Sequence, residues 1–337
     1  MITLDGSQGE GGGQILRTAL TLSTCLGQPF HITHIRANRK RPGLQPQHLA
    51  AVRAAATVSQ AKVEGAKKDS QTLVFQPGAV RPGKYHFDIG TAGSTSLVLQ
   101  TILPALIFAD SPSVIVLEGG THNPFAPPFE FLKYAFLPQI NKIGASVRAT
   151  LQRPGFAPEG GGNMHISITP TSQPVPLDIK ERGKLQQCRA EVLLANLPVH
   201  IAERELAVIH QGLSLPYDAL RYSLDKSAKG AGNSLSIIVE SEHITECFSS
   251  FGRKGLPAER VAEQAVNAVK QYLEADVPVG PYLADQLLLY LALVGKGCFT
   301  TMQPSLHTRT NIAVIEHFHG FSIKTQQIGN DSWNIYC

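Results

Sequence analysis

Apolar residues recur at helical spacing in three stretches of the chain, each led by a polar or glycine-containing turn and followed by a short strand. In the first, Ile15, Leu16, Ala19, Leu22 and Leu26 fall on one face of a helix starting near Gln14. Gly27 supplies the stop, and Phe30 to Ile35 the strand. The second helix runs from Ser94 through Leu106 toward the strand Ser113 to Leu117, with a kink expected at Pro104. The third runs from Asp285 through Val294 toward Phe299 to Thr301. A further amphipathic helix follows each of these: Gln47 to Ala61, about Pro128 to Ile143, and about Thr308 to His319. The pattern predicts an α/β (α+β) fold of three repeated units, each laying two helices on one face of a small sheet.

The third unit is split. Residues from about 183 to 276 separate its strand-like start from the helix at Asp285, which predicts a smaller inserted α/β domain (183–276) within a larger one (1–182 and 277–337). Arg189 to Ala195 and Ser234 to Glu240 read as its strands, Glu259 to Leu273 as an amphipathic helix, and Asp225 to Asn233 as a mobile loop.

Composition narrows the class without deciding function. With 43% hydrophobic and 17% charged residues, a disordered or fibrous chain is excluded. The formal charge of +4 accommodates an anionic ligand without requiring one. The five cysteines form no C-x-x-C pair, so reduced thiols and a cytoplasmic location are expected. Met1 to Asp5 reads as a strand rather than a secretory signal. The apolar runs at Leu97 to Ala109 and Leu287 to Val294 fall short of the roughly 20 residues a membrane span needs, so a soluble protein is expected.

Candidate chemistry sits at the turns. Gly9-Glu10-Gly11-Gly12-Gly13-Gln14 lies between the first strand and first helix, where free N–H groups and the helix dipole favour an anion. It matches neither a Walker A loop nor a dinucleotide fingerprint, and a structural turn is the competing reading. A carboxylate such as Glu10 among glycines can reach a hard cation that bridges phosphates. Arg36-Ala37-Asn38-Arg39-Lys40-Arg41 is either a solvated surface run or, through Arg36 and Arg39 together with Arg17, a phosphate grip. The glycines of Gly155 to Gly162 suit a tight backbone crossing. In Thr121-His122-Asn123-Pro124, followed by Ala126-Pro127-Pro128, prolines can start a helix and Pro127 can flank a flat base. His307 lies at the start of the last helix, where the dipole disfavours an imidazolium and leaves a ring nitrogen free to attack an electrophile; surface or core packing is the alternative.

Three segments together, Asp5 to Arg17, Tyr282-Leu283-Ala284-Asp285-Gln286 and His307-Thr308-Arg309-Thr310-Asn311, resemble RNA 3'-terminal phosphate cyclase over essentially the whole chain. Pro42-Gly43-Leu44, Gln47-His48, Gly90 to Gln100 and Asn123 to Pro128 add to the likeness. One departure is Pro154, where the family usually has Arg or His before Gly155; Arg153 lies one place earlier. The resemblance implies three βαβαββ-type units with a smaller α/β insert. It also implies an ATP-dependent, ligase-class conversion of an RNA 3'-phosphate to a 2',3'-cyclic phosphate through a histidine-AMP. In that reading His307 is adenylylated and Glu10 holds a divalent metal (Mg2+ or Mn2+). Arg17, Arg36, Arg39, Gln47 and His48 lie around the phosphates, and Gln100, Pro127 and Tyr282, Leu283, Ala284, Asp285 and Gln286 around the adenosine. RNA 3'-phosphate ends are the implied partner, a homodimer is left open, and no membrane is involved. The rival readings are a non-catalytic cyclase-like ribosome-assembly protein and an enolpyruvyl transferase of similar repeated architecture.

Overall fold

The computed structural model describes residues 1–318 and 320–337. Unit one comprises β1 (Ile2–Asp5), α1 (Gly13–Leu26), β2 (Phe30–Thr33), α2 (Pro46–Ser59), β3 (Lys62–Glu64) and β4 (Leu73–Gln76). Unit two comprises β5 (Lys84–Asp88), α3 (Thr95–Ile107), β6 (Ser113–Gly119), a second helical stretch, β7 (Ser146–Arg153) and β8 (Gly162–Thr169). Its helical stretch is α4 (Phe129–Phe131), a π-helical segment (Leu132–Phe136) and α5 (Leu137–Lys142). After β9 (Leu177–Ile179) come β10 (Leu185–Ala195), α6 (His200–Leu213), a 3-10 turn (Tyr217–Ala219), β11 (Leu220–Asp225), β12 (Gly232–Ser241), β13 (Thr245–Phe251) and α7 (Ala258–Ala275). The chain closes with α8 (Pro281–Val294), β14 (Gly297–Thr301), α9 (Leu306–His317), β15 (Lys324–Gln327) and β16 (Trp333–Tyr336).

Three of the four sheets share one strand order: β1-β2-β4-β3, β5-β6-β8-β7 and β9-β14-β16-β15. In each, the first pair is parallel and the others antiparallel. Parallel neighbours need a crossover, and α1, α3 and α8 supply it. The helices α1, α2, α3, α8 and α9 pack on one another and on these sheets, giving one core that includes Leu16, Leu20, Phe30, Leu103, Phe136, Leu287 and Phe318.

The long segment between β9 and α8 interrupts a strand. β9 pairs in parallel with Gly297 to Phe299, and the returning chain rejoins the same edge at Val279, opposite Thr301. The intervening residues form the fourth sheet, ordered β11-β10-β12-β13, with α6 and α7 burying Val192, Leu194, Ile209, Leu235, Val261 and Val269 in a core of their own. Its opposite face, through Ile238 and Cys247, joins the main core. Among these elements, α6, β11 and β13 were not legible in the residue pattern.

Several boundaries differ from the sequence expectation, each for a local reason. The second helical stretch of unit two is not a continuous α-helix. Pro138 lacks the N–H that would bond the Tyr134 carbonyl, and the backbone widens so that Leu137 N–H donates to Leu132 O. Helix α2 stops at Ser59 because Gln60 turns left-handed (φ 50°), a cap the sequence does not advertise. Helix α3 continues through Pro104 to Ile107. Helix α8 begins four residues earlier than expected, with Pro281 in its first turn, a signal that was present in the sequence. Helix α9 begins at Leu306; His319, the expected end, lies outside the described residues. The Asp225 to Asn233 segment is tied down rather than loose. Asp225 Oδ1 accepts from Ser227 N and Ala228 N (both 2.8 Å), and Asn196 Nδ2 donates to Ala228 O and Gly230 O.

A buried carboxyl couples the fourth sheet to α8. Glu246 on β13 accepts from Gly280 N–H at the helix start, and burial pushes its carboxyl up to about 8. The folded chain therefore binds a proton that the unfolded chain, titrating near 4.5, has released. Stability from this group is full below the unfolded value and is lost as pH rises through about 8. Thermal unfolding should show Glu246→Gln falling less steeply than wild type between about pH 4.5 and about pH 8, with a gain on the order of a few kcal/mol at the upper end of that window. Parallel curves would refute this.

Candidate active site

Helix N-termini gather at the carboxyl ends of the strands, where backbone N–H groups lack intrahelical partners. Helix α9 places His307 in its first turn, with Ser305 as N-cap accepting from Thr308 N (3.1 Å). Its ring is half exposed. His307 Nδ1 meets Gln14 Oε1 of α1 at 2.9 Å, and Nε2 stands 3.6 Å from Glu10 Oε1.

The orientation of Gln14 is fixed from behind. Its Nε2 donates to Asp285 Oδ1 and Oδ2 of α8 at 2.7 and 2.9 Å, and a carboxylate can only accept. The amide oxygen must therefore face His307, where it can accept only from an Nδ1–H. In the neutral ring this leaves the Nε2 lone pair directed toward Glu10. Asn311 of α9 donates to the Asp285 backbone oxygen at 3.0 Å, and Thr18 of α1 donates to Asn311 Oδ1 at 2.6 Å. Three helices are thus joined behind one imidazole. Burial raises the Asp285 carboxyl, opposed by the Gln14 hydrogen bond and by the charges of His307 and Arg17.

The glycine loop lets side chains lie close against its backbone. A Cβ at Gly12 would strike the Glu10 carboxylate and Arg39, and one at Gly13 would strike His48 Nε2. Glu10 and Arg39 form an ion pair, and Glu10 N–H donates to Thr310 Oγ1 (3.0 Å), linking the loop to α9. His48 Nδ1 accepts from Gln45 N–H (3.2 Å), so its neutral ring presents Nε2–H at the start of α1. Burial, reinforced by Arg17 and Arg36, pushes His48 down to about 3. Arg17 is itself pushed down to about 10 by burial, with Asp285 opposing, and remains a cation. Arg17 and Arg36, both part-buried, therefore place positive charge beside the loop, next to the buried, neutral His48.

The other candidate residues sit as follows. Arg36 takes a left-handed backbone (φ 55°), unusual for a side chain of this size, and its Nη1 donates to Arg41 O (2.6 Å) and Gly43 O (2.9 Å). It shapes its own loop as well as contributing charge. Gln47 Oε1 accepts from Ser94 N–H at the N-cap of α3 (3.0 Å). Gln100 donates to Gln286. Tyr282 is exposed, Pro127 half-buried, and Leu283 and Ala284 have their side chains in the core, leaving only backbone to a ligand. Gly155 crosses close to Gly119 and Gly162, as its sequence suggested, and Arg153 Nε clamps that loop by donating to Gly161 O (2.6 Å). The sequence reading left Gln14, Thr18, Thr310 and Asn311 out of the site; Gln14, Thr310 and Asn311 lie in motif segments already singled out, and Thr18 directly follows the first of them.

The described residues contain no group of three or more His, Cys, Asp or Glu side chains able to hold a metal. Glu10 is a lone carboxylate whose present partner is a cation, Arg39. That donor set fits a magnesium-type ion only if substrate phosphates supply further oxygens.

The family model described as RNA 3'-terminal phosphate cyclase matches residues 8–325. The chain belongs to this family. The cyclase match runs from the glycine loop through unit two and the inserted sheet to the His307 segment and the start of β15. No described helix is long and apolar enough to cross a membrane.

Proposed function

We propose that this cyclase family member closes RNA 3'-phosphate ends to 2',3'-cyclic phosphates at the expense of ATP, with His307 as the adenylylated residue. The observation that carries the reading is the Asp285–Gln14–His307 chain of hydrogen bonds, which leaves Nε2 as the free nitrogen beside the glycine loop. Nε2 attacks the α-phosphorus of ATP; an N–P bond forms, the α–β phosphoanhydride breaks, and pyrophosphate leaves. A terminal RNA phosphate oxygen then attacks the same phosphorus, restoring the imidazole and leaving an RNA(3')pp(5')A anhydride. The adjacent 2'-OH attacks the RNA phosphorus, AMP departs, and the hydroxyl proton passes to solvent. Intramolecular attack of this kind reaches effective molarities of about 10⁵–10⁸ M, so the last step asks little of the protein.

The chain's own groups suit these steps. Arg17 and Arg36 offset phosphate charge from a part-buried position, and His48 Nε2–H and the first N–H groups of α1 add neutral donors. Glu10 and its phosphate-bound Mg2+ or Mn2+ would supply electrophilic assistance to the triphosphate. Gln100, Gln286, Tyr282 and Pro127 would surround the adenine. Incubation with α-labelled ATP and Mg2+ or Mn2+ should leave acid-labile, hydroxylamine-resistant label on the protein, which an RNA 3'-phosphate discharges to a cyclic end. A folded protein that takes no label and leaves such ends open would instead support the non-catalytic reading.

A further inference from the structure

The fourth sheet ends in an unprotected edge. β11 is its terminal strand, hydrogen-bonded only to β10, and Arg221 to Leu224 are exposed on both faces. Tyr222 and Leu224 are about half exposed (48% and 53%), side by side on one face. The other terminal strand, β13, is mostly buried and packs against the helical stretch of unit two. β15, an exposed terminal strand elsewhere, carries only Lys324, Thr325, Gln326 and Gln327. Beyond the charges of Arg221 and Asp225, β11 lacks the usual safeguards: it has no proline, no lysine and no bulge in its register.

The register of β11 identifies what fits the edge. Asp225 O accepts from Asn196 N–H, so the backbone groups of Asp225, and by alternation those of Ser223 and Arg221, face β10. Those of Tyr222 and Leu224 face outward. A second β11 laid antiparallel about a two-fold axis through Ser223 then sets Tyr222 opposite Leu224 of the second copy, outward groups to outward groups. The same register sets Arg221 opposite Asp225. Arg221 makes no ion pair among the described residues, and Asp225 is held rigid through Oδ1, leaving Oδ2 with only Ser227 Oγ (3.2 Å). The strand is therefore self-complementary in hydrogen bonding, in apolar area and in charge, as an isologous interface requires.

We infer that β11 is a homodimerisation edge, joining the inserted sheets of two copies of this chain into one continuous antiparallel-paired sheet. Sedimentation of the full chain over a wide concentration range should show a reversible monomer–dimer equilibrium. Arg221→Glu, which sets like charges opposite each other twice across the axis, should weaken it about tenfold or more. Ser223 faces its own copy at a non-hydrogen-bonded position, where Cα atoms lie about 4.5 Å apart. Ser223→Cys should consequently give a disulfide-linked dimer on mild oxidation, beyond any formed by wild type. Both side chains are exposed, so wild-type melting temperatures are expected of both variants. A wild-type chain that stays monomeric throughout would overturn the inference. So would a dimer that Arg221→Glu leaves intact and Ser223→Cys fails to link.

Discussion

His307→Ala is expected to abolish protein-bound AMP, lowering adenylylation by at least about 10³-fold, while the protein keeps its melting temperature. The fold should hold because His307 is half exposed, alanine suits a first helical turn, and the Ser305 cap does not depend on the ring. The one hydrogen bond lost, to Gln14 Oε1, leaves that oxygen beside an open site where water can replace the imidazole. The neighbouring imidazole of His48 cannot take over. His48 is buried, its Nδ1 occupied by Gln45 N–H, and its Nε2 is directed at Gly13. Label persisting on the folded alanine variant would remove His307 from the chemistry and shift attention to another acceptor.

The α/β character of the fold was legible because amphipathic spacing is a local property: Ile15, Leu16, Ala19 and Leu22 declare a helix without reference to anything distant. What the pattern could not supply were features set by tertiary partners. α6 has a strong apolar face, yet nothing in it says which sheet it crosses, and β11 is exposed and so lacks the alternation of a half-buried strand. Asp225 to Asn233 looked loose because its glycines and lysines are loop-forming; the anchoring groups, Asn196 and the Asp225 carboxylate itself, become visible only with the turn built. The site divides the same way. Glu10, Arg17, Arg39, His48 and His307 were chosen for side-chain chemistry, and the fold brings them to one loop. Gln14 was quoted in the motif without a role because an amide has no distinctive chemistry of its own. Its importance comes from lying between Asp285 and His307, positions 271 and 293 residues away in the chain.

Asp285→Asn should separate two accounts of that residue. If Asp285 lies against adenosine, as its motif implies, the substitution weakens ATP binding and chiefly raises KM. The hydrogen-bond geometry gives it a positioning role, and the expected outcome is then a fall in kcat for adenylylation on the order of 10²–10⁴ with KM for ATP little changed. The asparagine carries a donor where the carboxylate had only acceptors. To avoid opposing N–H groups, Gln14 must rotate its amide, turning Nε2 toward His307 Nδ1. The ring can then accept at Nδ1 only by carrying its proton on Nε2, so the attacking lone pair is lost although every side chain stays in place. Nitrogen NMR of the labelled imidazole would register the change of tautomer directly. Because burial raises the Asp285 carboxyl, the wild-type rate should decline on acidification above the usual carboxylate range, and this limb should be missing in the asparagine variant. An unaltered tautomer together with a raised KM would return Asp285 to the nucleotide pocket and leave Gln14 to be oriented by Asn311 and Thr18 alone.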